Sequence, residues 1–438
     1  MPACDFQRSE VLKLRTFMFS AVVLASPVRA IAGPAPNAVV EWAGIVQQAI
    51  HGPAAPRSAG TSEILHTMVH LAVYDAVVAI EGGSRPFAAK ITAAPNADVR
   101  AAVATAAYLT ARPRIAAAHL AVFDQAYATY FANLPADDAV TEGVRVGQLA
   151  AAAMLALRAN DGFTNVVPYE CSGAPTAIGE FVPDTGCPAA PTSAQPVDVK
   201  VGGITPFTLK HAAVFRPSGP DPLDSKAYAR DFAETRDFGG AASTVRSPEQ
   251  TDVAWFWAEN PYVHWNRNLM ALAQSKGLSV RRTARLFAMV HTAASDAIIA
   301  GFEAKYHYRA WRPRTAIPEA ELDGNPDTAG DAAWRPLISV NHPEYPSGHG
   351  FWSTAVIGSV SAFFGTLRVD WTLTTSKAAV PALVKTERTY RNLIELLGEI
   401  GDARVWGGLH WRHAVRDGAL IGGRVAAHVQ WHHFQPMR

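Results

Sequence analysis

Two stretches, MVHLAVYDAVVA at 68–79 and MVHTAASDAIIA at 289–300, carry Met, Val, His, Ala, Asp, Ala and Ala at matching places, 221 residues apart. A duplication with helical spacing predicts two related helical bundles in a mainly helical protein. Asp75 and Asp296, matched in the repeat, then fall mid-helix near the apolar face. A carboxylate there needs a partner, so structural pairing is the expectation for both.

Composition agrees with this class. The chain has 438 residues, 49% of them hydrophobic, which is enough for one large core or two smaller ones. Alanine is abundant and alternating β-branched runs are few, which favours helix. With 18% charged residues and a net charge of +1, the overall field does not argue for nucleic acid or an anionic membrane as partner. Any anion must be caught locally.

The expected organisation is a signal peptide over 1–32, an N-terminal helical bundle over 33–222 and a C-terminal bundle over 223–438. Arg8, Lys13 and Arg15 precede the apolar run FMFSAVVLA, and Ala30 and Ala32 offer a cleavage site before Gly33. Export to a periplasm or to the medium would follow. That run is too short to span a bilayer, and no other segment reads as a span. Cys171 and Cys187 bracket a Gly- and Pro-containing loop; a disulfide is expected, with two separate thiols as the alternative. Helices are expected over 62–80, 97–134, 137–160, 263–276, 279–304, 349–366, 381–400 and 414–432, with patterning resuming near Ser225. Ser247 should open a capped helix, with Glu249 and Gln250 in its first turn. The Pro-, Gly- and Thr-rich segment at about 162–222 reads as a functional cover or a connection.

Only the second half runs on from its repeat into a basic cluster, AKYHYRAWRPRTAI, holding Lys305, His307, Arg309, Arg312 and Arg314. Such clusters are usually solvated faces. Two further stretches compete with that reading. In YPSGHGF, Ser347 is an N-cap candidate and Gly348 lets the backbone approach a ligand as a helix begins at about His349. In DARVWGGLHWRH, Arg404, His410 and His413 follow. Helix-terminal N–H groups of Gly348 and His349, the forked donors of Arg312 and Arg404 and the ammonium of Lys305 would make an anion cradle. Two histidines complete it, one in line with the central atom and one as acid/base.

The order and spacing of Lys305, Arg312-Pro313, Pro346-Ser347-Gly348-His349, Arg404 and His410 resemble the tripartite signature of the vanadium-dependent haloperoxidases and the type 2 phosphatidic acid phosphatase superfamily. FRPSGPDPLDSKAYARDFAE, RSPEQTDVAWFWAENP, HWNR and SDAIIAGFEAKYHYRAWRP look like the bacterial haloperoxidase branch. The likeness covers roughly 60–80 and 210–420. It implies an all-α protein built around helical bundles, with an oxyanion pocket at the end of the C-terminal bundle and Lys305, Arg312, Ser347, Gly348 and Arg404 around the oxygens of vanadate. His410 would ligate vanadium and His349 would act as acid/base. The implied partners are hydrogen peroxide and halide, giving hypohalous acid, with a small organic acceptor and a homo-oligomer both allowed; phosphate could take the same pocket. The alternative is a phosphoric ester hydrolase with His410 as nucleophile and His349 as acid. A relative with altered chemistry and a non-enzymatic binding protein are the remaining readings.

The chain departs from the signature at Ala403, where Ser is usual, and at Ala414, where an Asp orients the histidine. Asp402, Asp417 or a backbone carbonyl would have to replace it, and the loss weighs more against a nucleophile than against a metal ligand. For the halide, His342 is like bromoperoxidases and Phe302 like chloroperoxidases; bromide or iodide is the expectation. His307, Arg309, Arg314 and His413 should line the entrance or pair structurally. Gly-x-Ser-x-Gly, Walker, His-Glu-x-x-His and Cys-x-x-Cys-His motifs are missing.

Overall fold

The computed structural model describes residues 37–171, 177–184, 196–435 and 437. The signal-peptide expectation over 1–32 and Cys187 lie outside these residues. Cys171 is disulfide-bonded.

Among the described residues there are thirteen α-helices: α1 (Ala38–His51), α2 (Ala59–Glu81), α3 (Val99–Ala111), α4 (Ala117–Ala132), α5 (Asp138–Leu157), α6 (Lys226–Gly239), α7 (Pro248–Phe256), α8 (Pro261–Ser275), α9 (Val280–Tyr308), α10 (Pro313–Ala316), α11 (Gly348–Phe364), α12 (Leu393–Trp406) and α13 (Arg412–His432). Their starts are written locally. Asp98 accepts from Arg100 N and Ala101 N, Asp137 from Val140 N, and Ser279 from Arg282 N. Ser247 and Gln250 form the expected capping box. The alanine-rich run at 97–134 is two helices, broken by a 3-10 turn at Arg112–Arg114 that holds Pro113.

One expected helix is corrected. Within 381–400, Glu387–Tyr390 is strand β2, paired antiparallel with β1 (Trp371–Thr374), and helix begins only at Leu393. The pairing is set across the hairpin, with Thr372 and Thr389 hydroxyls 2.8 Å apart, which the periodicity of one segment does not carry.

The repeat helices α2 and α9 pack against each other. Thr67 Oγ1 donates to His291 O at 2.8 Å and sits 2.7 Å from Ser295 Oγ. The matched histidines meet: His70 and His291 have ring centroids 4.5 Å apart at 8°, and His66 lies 4.5 and 5.1 Å from them. The matched aspartates do the same job. Asp75 accepts from the backbone N–H groups of Phe87, Ala88 and Ala89, and Asp296 from those of Phe207, Thr208 and Leu209. Each carboxylate thus clasps a Pro-Phe loop, RPFAAK or TPFTLK, and the structural role expected for both is what the geometry gives.

By length and composition α2 and α5 could both cross a bilayer, a point the sequence reading passed over. The apolar window of α2 is 89% buried within the protein. The α5 helix packs on α3, where a Cβ at Gly143 or Gly147 would fall 2.3 and 2.6 Å from the Asp98 and Ala102 carbonyls.

Burying imidazoles has a consequence for stability. Burial and the neighbouring His291 hold His66 and His70 well below the usual histidine range. Above about pH 6.5 both folded and unfolded chains are neutral at these sites. Below it the unfolded chain takes protons that the native state refuses, so stability falls with falling pH. The slope is about 1.4 kcal/mol per pH unit for each group. Urea unfolding at intervals from pH 5 to 7 should show this decline, steepened by further depressed histidines; a flat profile would refute it.

Candidate functional site

Three segments meet at the C-terminal bundle. Lys305 sits in the last turn of α9, Ser347 caps α11 through Gly350 N at 3.4 Å, and Arg404 lies in the last turn of α12 with His410 in the link to α13. Ser347 N donates to Ala414 O at 2.9 Å, which fixes the start of α11 on α13. The turn that opens α11 is therefore built to hold Ser347, Gly348 and His349 beside the α12–α13 link.

Lys305, Arg312, Arg404 and His410 are all buried. Lys305 Nζ donates to the carbonyls of Pro343 and Glu344 at 2.8 and 3.0 Å, leaving one of its three donors. Arg312 donates to His342 O at 2.5 Å and to Leu409 O at 2.7 Å, and its third nitrogen lies 3.0 Å from His342 Nδ1. Arg404 donates through Nη1 to Trp257 O at 2.8 Å, while its buried Nε has no partner. Burial, with Arg312 alongside, draws the Arg404 guanidinium down to about 9; burial draws Arg312 down to about 10. Lys305 falls well below the usual lysine range through burial and both arginines. Cations crowded this way gain from an anion between them.

Burial and the same cations hold the imidazoles of His342, His349 and His410 well below the usual range, hence neutral at pH 7. His349 is half-buried, beside Arg404. His410 is oriented by a residue that the sequence reading missed. Its Nδ1 lies 2.8 Å from Glu344 Oε1, which also accepts from Trp411 N at 3.0 Å. The substitutes expected for the Asp at position 414 are engaged elsewhere: Asp402 takes Arg412 at 2.6 Å, and Asp417 the Tyr345 hydroxyl at 2.7 Å. Glu344 is fully buried, and burial raises it to about 6 against the pull of His413, Lys305 and Arg312. A carboxylate two residues after His342, in a turn otherwise occupied by Pro, Tyr, Ser and Gly, was the available signal.

The remaining basic residues pair outside this cluster. Arg309 meets Glu180 at 2.9 Å, Arg314 meets Asp184, and His413 meets Asp231 at 3.0 Å; His307 lies 3.4 Å from Arg216. Phe302 and His342, the two halide hints, are neighbours with ring centroids 5.6 Å apart. The irregular segment runs close by: Val197 N donates to Asn341 O and Phe181 N to Arg309 O.

The architecture matches that of solved enzymes. A structure titled as the first bacterial vanadium-dependent iodoperoxidase superposes with TM-score 0.73 at 20% identity, covering 91% of this chain and 96% of that one. A holo-type bacterial vanadium-dependent chloroperoxidase gives TM-score 0.69 at 17% identity, over 88% and 94%. The chain has the vanadium haloperoxidase fold. Within it, residues 285–438 match the family model described as the VCPO second helical-bundle domain, the part that carries the Lys305, Ser347, Arg404 and His410 segments. Vanadium chloroperoxidase of Curvularia inaequalis is 27% identical over 260 residues, 44% of this chain. The aligned stretch spans 42% of that relative's length. The haloperoxidase fold thus extends over most of the chain, and sequence likeness to the curated relative over less than half of it.

Proposed function

We propose that the protein is a vanadium-dependent haloperoxidase that uses hydrogen peroxide to oxidise halide to hypohalous acid. The observation that carries this is the His410–Glu344 pair beside three buried cations. With Nδ1–H donated to Glu344, neutral His410 keeps its Nε2 lone pair free to ligate a metal. The donor set fits vanadate: Arg404 Nε is an unspent buried donor and Lys305 retains one, with Arg312 charged alongside both. Lys305, Arg312, Ser347, Gly348 and Arg404 would hold its oxygens, and His410 its vanadium.

When bound, vanadate supplies a Lewis-acidic centre that activates peroxide without changing oxidation state. This chain's residues do the rest. The cations hold negative charge in place and screen it from water. His349, neutral and half-buried, accepts a proton from incoming peroxide at its ring nitrogen and returns it to the leaving oxygen. Lys305 places positive charge where a halide approaches. His342, the bromoperoxidase-like residue of the pair, favours bromide or iodide as the halide against the chloroperoxidase-like Phe302, and a small organic molecule is the halogen acceptor. A disulfide at Cys171 supports an exported protein, periplasmic or secreted.

A phosphoric ester hydrolase is the second reading, and one observation favours it more than the sequence did. Glu344 supplies the orienting carboxylate that Ala414 lacks, so His410 is also set up as a nucleophile. Bromination of a phenol-type dye, with and without added vanadate and beside a phenyl phosphate control, separates the two. Vanadate-dependent bromination inhibited by phosphate is expected. Ester turnover without vanadate and without bromination would overturn the proposal.

A further inference from the structure

A cavity of about 500 Å³ is bordered by Asp221, Glu344 and His413. His413 stands in the first turn of α13, Asp231 on α6, and Asp221 in the loop before α6. Asp231 Oδ2 lies 3.0 Å and Asp221 Oδ2 3.4 Å from the same His413 Nδ1. One donor atom from each of the three falls within 4.8 Å of the others, which no other group of acidic, histidine or cysteine residues achieves among the described residues.

Hydrogen bonding does not account for this cluster. A single Nδ1 carries at most one hydrogen, and two carboxylates compete for it. Asp231 also accepts His413 N at 2.7 Å, so helix capping explains Asp231 but not Asp221. Among the described residues, neither aspartate has an ion-pair partner within 4.0 Å other than His413. The independent sign is Glu344. It borders the same cavity, is fully buried, and its Oε2 has no hydrogen-bond partner. Two carboxylates and an imidazole thus gather at a cavity that a buried, unpaired carboxylate oxygen also borders.

We propose that Asp221, Asp231 and His413 bind a divalent first-row transition cation, of which Zn2+ and Mn2+ are the test cases. Two carboxylates balance the charge of such an ion, and an imidazole selects it over Mg2+ or Ca2+. The cavity supplies room for water in the remaining coordination positions. The assignment stands on this cluster and the cavity it shares with Glu344, and does not depend on what the oxyanion pocket binds.

The test uses the full-length protein stripped with chelator. Titration calorimetry with Zn2+ and loss of the free Mn2+ electron paramagnetic resonance signal should each report one equivalent. Asp221→Asn, a substitution in a half-exposed loop, should weaken that equivalent at least about tenfold, while His410→Ala should leave it unchanged. The imidazoles of His428, His432 and His433 cluster at the end of α13 and can bind Zn2+ on their own account. Zinc that survives Asp221→Asn and disappears with His432→Ala would overturn the proposal, as would no stoichiometric ion at all.

Discussion

Glu344→Gln should weaken vanadate binding and lower vanadate-dependent bromination by about 10- to 100-fold, the usual effect of losing the partner that orients a metal-binding histidine. The glutamine side chain keeps the size but can donate as well as accept, so the tautomer of His410 is no longer fixed. The sign is informative because charge alone predicts the reverse. Glu344 is the acid beside Lys305, Arg312 and His410, and neutralising it makes the pocket more positive, which by itself favours an anion. Weaker vanadate binding would therefore report loss of the 2.8 Å contact to Nδ1 rather than loss of a charge. Fluorescence or 51V NMR titration of the variant measures the affinity, and wild-type affinity with wild-type turnover would refute the orienting role. Glu344→Asp, which keeps the charge on a shorter arm, should recover part of the loss.

What the sequence made legible was what is local or repeated. The capping box at Ser247, the N-cap at Ser347 and the Pro113 break are written within a few residues of where they act. The repeat predicted two related helical bundles, and the matched aspartates proved to share matching surroundings, each holding three backbone N–H groups. The site was half legible. Signature spacing named Lys305, Arg312, Ser347, Gly348, Arg404 and His410, whose segments the fold brings together. It could not name Glu344, because the pairing with His410 spans 66 residues and depends on how the α12–α13 link lies across the turn before α11. The Asp402 and Asp417 alternatives were reasonable by proximity along the chain, yet Arg412 and Tyr345 are better partners in space. The β1–β2 hairpin was missed for a related reason. Strand pairing between 371–374 and 387–390 is a property of two segments, and the 381–400 pattern was read as one.

Arg404→Ala should cost about 10² to 10³ in turnover, the range for removing one preorganised donor to developing negative charge. The structure explains why this arginine matters more than its half-buried counterparts. Arg309 and Arg314 spend their donors on Glu180, Asp184 and backbone carbonyls, whereas Arg404 holds one bond to Trp257 O and keeps a buried Nε unspent. Arg404→Lys preserves the charge and loses the fork, so it should fall between alanine and wild type. A buried guanidinium with no carboxylate partner is also costly in the anion-free protein, since one hydrogen bond to Trp257 O is all that offsets its burial beside Arg312. Binding of vanadate or phosphate should therefore raise the melting temperature of the wild type, by the equivalent of about 2.7 kcal/mol at a hundredfold excess over Kd, and raise that of Arg404→Ala much less. Equal shifts in the two proteins, or equal turnover, would mean that the unspent donor faces something other than an oxyanion. A smaller shift together with lost turnover would tie the anion site and the catalytic site to the same guanidinium.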